Sequence, residues 1–361
     1  MGHWVLPPVD PNVLSPPPRG GHACAAVGSQ VVVFGGADRS PTPYNDLWVL
    51  NTEGGKYEWR CVMASNTAGT PVRPRTGATM TAVDDKVYVY GGQDPVSGIC
   101  YDDLLMLDTA SWQWSPVEVE GGKPPPRHSH CAGLFKDHCL LVFGGAGMNG
   151  LLGDVWVFNS LTRQWTHPSI QGTPLSAREM HSGTMVSPSH MVVYGGRRAD
   201  GQVLSDAAVL NGDAMTWESH TQSLLARCAH AAIAAPSARE GSPEASSNRS
   251  LLSGEAAPAT TTSAAASTSD PEHPASVLVY GGFSGVHVET DLLRLSVGGK
   301  RMVMVEPSSS DGGHVAVCPA ARFAHTAVSV PTTQGSHNRD MIVFGGVNPA
   351  EDLGDVAVYQ A

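Results

Sequence analysis

"VVVFGG", residues 31–36, decides the fold of this chain because it is the first of six such runs. Its counterparts are "VYVYGG" at 87–92, "LLVFGG" at 140–145, "MVVYGG" at 191–196, "VLVYGG" at 277–282 and "MIVFGG" at 341–346. In each, β-branched and aromatic residues run into a pair of glycines. That is the pattern of a short buried strand ending where the backbone turns tightly or a neighbour approaches closely. An aspartate follows ten to twelve residues after the first glycine (Asp46, Asp103, Asp154, Asp206, Asp291 and Asp355) and opens another apolar run such as "DLWVL". Eleven to thirteen residues further on stand Trp59, Trp114, Trp165 and Trp217; the fifth unit has Met302 there, and the sixth runs out of chain. Upstream of the glycine pairs lies Arg-x-x-His: Arg19/His22, Arg127/His130, Arg178/His181, Arg227/His230 and Arg322/His325, while the second unit keeps Arg75 but has Ala78 for the histidine.

Each unit reads as four short antiparallel strands. One such sheet cannot bury both of its faces, so neighbours must stack, and six stacked around an axis make a propeller. Six glycine pairs in register with aspartate, tryptophan and Arg-x-x-His argue against a β-sandwich with chance glycines. The combination resembles the kelch repeat over nearly the whole chain. The resemblance implies an all-β fold: a six-bladed kelch β-propeller, residues 1–361, with four antiparallel strands per blade.

The sixth unit lacks an outer, tryptophan-bearing strand, whereas the chain opens with one. Trp4 precedes Arg19 by 15 residues; the other tryptophan-to-arginine intervals are 16, 13, 13 and 10. "PPPR" at 16–19 recurs at 124–127. Residues 3–8 are therefore expected to close the last blade as its outer strand, covering an edge that would otherwise invite pairing with another chain. Residues 236–275, rich in serine, alanine, threonine and proline, are expected to form a disordered insertion in blade five.

Composition narrows the function. The chain has 361 residues and a net charge of −11, with no block of lysines, which speaks against nucleic-acid binding. Seven scattered cysteines without Cys-x-x-Cys do not form a disulfide framework or zinc site, and they fit a reducing compartment. The apolar runs are too short to span a membrane. The expectation is a cytoplasmic protein, with nuclear or cytoskeletal association open, and a monomeric propeller within a complex.

Antiparallel connectivity gathers the loops after the second and fourth strands on one face, where the arginines begin the inner strands. Arg19, Arg75, Arg127, Arg178, Arg227 and Arg322 stand once per blade there, and "YGGRRAD" adds Arg197 and Arg198. Guanidiniums around one mouth favour carboxylates through forked hydrogen bonds. In kelch domains of ubiquitin-ligase substrate receptors, arginines at this position grip acidic peptides or a terminal carboxylate, and the resemblance carries that expectation to these residues. The competing reading ties each arginine to a loop acid: Asp38, Asp94, Asp102, Asp200, Glu289 or Asp352. The repeated histidines suggest packing rather than a metal site, the tryptophans filling between blades, and the aspartates holding loop backbone ahead of the third strand. No catalytic constellation or cofactor motif stands out beside the repeat. The leading expectation is a non-catalytic adaptor or substrate receptor for an acidic partner. The alternatives are a scaffold subunit using its blade rims and a kelch-fold enzyme such as a sugar mutarotase or oxidase.

Overall fold

The computed structural model describes residues 2–8, 14–69, 71–222, 224–235, 276–296, 301–304, 318–332 and 339–360. The expected insertion at 236–275 lies outside them. The strands form six sheets, each with four antiparallel strands that run in chain order from an inner strand outward, except that the outermost strand of the last sheet comes from the N-terminal segment. The first blade runs Ala23–Val27, Gln30–Phe34, Leu47–Asn51 and Glu58–Val62. The six inner strands close a circle: Ala23–Val27 packs on Thr79–Val83, then follow Cys131–Phe135, Ser182–Met185, Ala231–Ala234 and Thr326–Pro331, which returns to Ala23–Val27. This is the six-bladed propeller.

The core is divided among the blade interfaces. Six apolar clusters form, one between each pair of neighbours, such as Phe34, Val87 and Trp114 between blades one and two. Within these clusters each outer-strand tryptophan reaches back to the aromatic residue before the glycine pair of the preceding blade. Trp59 meets Phe344, Trp114 Phe34, Trp165 Tyr90 and Trp217 Phe143, with ring centroids 4.9–5.2 Å apart.

Trp4 obeys the same rule. It is buried against Tyr280 of blade five at 4.8 Å and Tyr359 at 5.3 Å. Its strand, His3–Val5, pairs antiparallel with Val356–Gln360, His3 opposite Gln360, so the chain's two ends share blade six. The strand is shorter than the expected 3–8, because Leu6 turns into solvent ahead of Pro7 and Pro8. Blade two gains an unexpected fifth strand, Ser65–Asn66, lying parallel on Gln113 and Trp114. The connection leaving blade one thus covers the next blade's edge.

The glycine pairs are explained by the neighbouring blade. Both glycines of every pair have positive φ, between +61° and +99°. The second glycine donates its N–H to the carbonyl of the next blade's arginine, at 2.7–2.9 Å in all six blades, with Gly346 bonding Arg19 across the closure. A side chain on the first glycine would strike that same carbonyl; a Cβ at Gly91 would sit 2.5 Å from the Arg127 oxygen. Backbone approach that close needs glycine.

Candidate functional site

The eight arginines expected at an open mouth divide into two groups. Arg19, Arg75, Arg127, Arg178, Arg227 and Arg322 are 0–3% exposed and lie inside their blades. In five of them the guanidinium forks onto the aspartate that opens the third strand: Arg19 on Asp46, Arg75 on Asp103, Arg127 on Asp154, Arg178 on Asp206 and Arg322 on Asp355, at 2.6–3.0 Å. Nη1 also donates to the carbonyl of the first glycine of the pair, as Arg19 does to Gly35 at 2.9 Å. Blade five is looser, with one contact from Arg227 Nη2 to Asp291 Oδ2 at 2.6 Å and Glu289 at 3.9 Å from Nη1.

The placement corrects two expectations. The strand-opening aspartates hold the arginines rather than only loop backbone, and the loop acids, Glu289 apart, are engaged elsewhere. Asp38 accepts from the Ser40 and Thr42 amides, Asp94 from those of Val96 and Ser97, and Asp200 from that of Gln202. Asp102 pairs with Lys123 and Asp352 with Arg39. Burial pushes the Asp46, Asp103 and Asp154 carboxyls up, but the guanidinium hydrogen bonds and charge outweigh it and hold all three below the usual carboxylate value. Each pair is a charged clamp whose guanidinium is buried in the blade and whose carboxylate stays partly open to solvent.

The histidines are packing groups. His22, His130 and His230 turn Nε2 to the hydroxyls of Thr326, Thr79 and Ser182 in the preceding blade, at 2.7–2.9 Å, and His181 turns to the Phe143 carbonyl at 3.2 Å. Burial, reinforced by the arginine in the same motif, lowers His22, His181 and His230 to about 3, so they are neutral. Among the described residues, no three His, Cys, Asp or Glu side chains gather as a metal site.

What faces solvent at the mouth is the residues between the motif positions. The second residue after each arginine (Gly21, Gly77, Ser129, Met180, Ala229 and Ala324) has φ between +51° and +66°. Each donates its N–H to the carbonyl of its counterpart in the preceding blade at 2.7–2.9 Å, and Gly21 bonds Ala324, so six hydrogen bonds run head to tail around the axis. Inside this circle lies a cavity of about 320 Å³, with the imidazoles among its lining and Met180 and Phe323 as the large apolar side chains on its wall.

Around it, the first residue after each arginine bridges the residue after the glycine pair of the same blade. The pairs are Gly20–Ala37, Thr76–Gln93, His128–Ala146, Glu179–Arg197, Cys228–Phe283 and Phe323–Val347. Blades five, six and one therefore present an apolar sector, and blades two to four carry the polar side chains. Arg197 is tied to Glu179 at 2.6 Å, while Arg198 is exposed and reaches Gln202 at 3.3 Å. On the loops above, Val96, Ile99, Met148 and Val286 are exposed. These positions were missed in the sequence because they do not repeat. The available signal was that very irregularity, at fixed places inside a repeating frame.

A ring of stacked sheets, clamped by arginine–aspartate pairs and opening on a chemically varied mouth, defines a repeat-built β-propeller. The sequence profile described as the KLHDC2/KLHL20/DRC7 Kelch-repeats domain matches residues 2–187 and 96–239, and the chain belongs to this kelch-repeat family. It is similar to host cell factor 1 of Homo sapiens, 29% identical over 268 residues, which take in 64% of this chain and 13% of that protein. It is likewise similar to host cell factor of Drosophila melanogaster, 30% identical over 64% of this chain and 17% of that protein. The dynein alpha chain of the flagellar outer arm of Chlamydomonas reinhardtii is 32% identical over 61% of this chain and 5% of its own length. The chain thus spans a small part of these relatives. The solved structure of YjhT shares the fold, with a TM-score of 0.66 at 13% identity over 97% of this chain and 99% of that one. No helix among the described residues is long and apolar enough to cross a membrane.

Proposed function

We propose that this propeller is a non-catalytic protein-interaction module, an adaptor that docks a partner on the face formed by the mouth and the loops between second and third strands. The observation that carries this is the concentration of exposed large apolar side chains there: Val96, Ile99, Met148 and Val286 surround a half-apolar mouth. Such side chains clustered on one face mark an interaction surface. Loops on a rigid scaffold are also where binding residues gather. An acidic segment or terminal carboxylate would have Arg198, with Arg197 beside it, as its available anchor, because the six inner-strand guanidiniums are committed to their aspartates.

The test is a triple variant, Val96→Glu, Met148→Glu and Val286→Glu. It should melt within a few degrees of the unaltered protein, since all three side chains are exposed, and should lose partner capture in affinity pull-downs. Undiminished capture by the folded variant would move docking to the blade rims and favour a scaffold role. If the triple variant still binds and Arg197→Glu with Arg198→Glu does not, the acidic-ligand site is the right one.

A further inference from the structure

The charges around the mouth define the partner more closely than the fold does. Six of the chain's arginines are locked below the surface by aspartates, so they project little positive potential into the opening. Pairing then engages most of the remaining cations: Arg39 bonds Asp352 and the carbonyls of Pro349 and Glu351, Arg197 holds Glu179, and Lys123 holds Asp102, while exposed Arg73 shares Asp103 with Arg75. Among the described residues of the loops between second and third strands, Asp38, Asp94, Asp200 and Glu351 have no cationic partner, whereas Arg198 is the cation not paired with a carboxylate. The rim is therefore acidic.

The cavity at its centre is uncharged. Its wall combines glycines, alanines, Met180 and Phe323 with the neutral polar side chains of Thr76, Gln93 and Ser129, and the imidazoles beneath are neutral. A volume of about 320 Å³ is at the small end of ligand sites and suits one apolar side chain with its flanking backbone. The apolar sector formed by Phe283, Phe323 and Val347 leads into it from one side.

We propose that the mouth captures a segment of a partner protein in which one apolar side chain enters the axial cavity and lysines or arginines on either side lie against the acidic loops. This rests on the mouth being the docking face, and it fixes the sign of the partner's charge. Apolar burial supplies affinity, and the acidic rim supplies steering and register.

A random dodecapeptide phage library panned on the immobilised propeller, followed by fluorescence anisotropy of the recovered peptides, tests this. The peptides should be net positive with a central leucine, methionine or phenylalanine, and their binding should weaken about tenfold or more between low and high salt. Asp200→Lys with Glu351→Lys should weaken binding by about tenfold or more while leaving the fold intact, because both side chains are exposed. Met180→Ala should weaken it several-fold without strain, since Ala229 and Ala324 already occupy the equivalent positions at the same φ. Acidic peptides that still lose affinity on Met180→Ala would overturn the charge assignment and leave the mouth as the docking face. Peptides indifferent to every mouth variant, or no enrichment over a blank surface, would overturn both.

Discussion

Arg178 donates from every nitrogen of its guanidinium. Nε bonds the Ser176 carbonyl at 3.0 Å, Nη1 the Gly195 carbonyl and Asp206, and Nη2 Asp206 and the Ser176 hydroxyl. Truncation to alanine would strand a carboxylate and two carbonyls, and removing one partner of a buried ion pair costs about 3–5 kcal/mol. Urea unfolding of Arg178→Ala should show a loss of that order, whereas Arg198→Ala should stay within about 0.5 kcal/mol. An equal, small effect for both would mean that the clamp contributes nothing. The arginines were legible in the sequence, but their partners were misassigned, for a geometric reason. The first and third strands of a blade run the same way and so begin on the same face, two strand spacings or about 10 Å apart. An arginine spans that distance only because the second strand ends between them in glycines. Spacing along the chain placed the loop acids as near as the true partner; spacing across the sheet did not.

At the scale of the strand, the N-terminal segment contributes one side chain that outweighs its three residues. Trp4 fills the gap between blades five and six, against Tyr280 and Tyr359. Trp4→Ala should cost about 3–5 kcal/mol, the usual range for deleting a large buried aromatic. Thermal denaturation would read this as a drop in melting temperature, and a peptide of residues 2–8 added to a protein lacking them should restore part of it. No drop for Trp4→Ala would show that blade six stands on three strands. The existence of this strand could be deduced from the sequence because tryptophan intervals repeat. The fifth strand of blade two could not, since Ser65–Asn66 has no strand-forming pattern and pairs only because the connection passes beside Trp114.

Across the whole molecule, buried histidines recur in five blades and make acid a common stress. Folding lowers His22, His181 and His230 from 6.5 to about 3, so the unfolded chain takes up protons that the folded chain refuses. Their contribution to stability is complete above about pH 6.5 and is lost as pH falls from there towards 3, by about 2 kcal/mol per imidazole at pH 5. The melting temperature should be flat above pH 7 and fall steeply between pH 6 and 4.5. A flat profile to pH 4.5 would mean that the imidazoles gain protons without leaving their sites. The ring itself was the most legible level, because six in-register copies of one pattern are read together. The mouth was the least, because its residues are the ones that differ from blade to blade.

His3 pairs with Gln360, and that pairing gives the fold a clock. At roughly 5–20 residues per second of synthesis, the first strand is made on the order of 20–70 s before the strand it completes. Throughout that interval Trp4 has no blade to enter, while five blades can already stack behind it. Ring closure therefore cannot precede the synthesis of Val356–Gln360, so the ribosome sets the earliest moment at which the first strand can pair. A nascent chain arrested before Val356 would carry a nearly complete propeller with its opening segment still adrift.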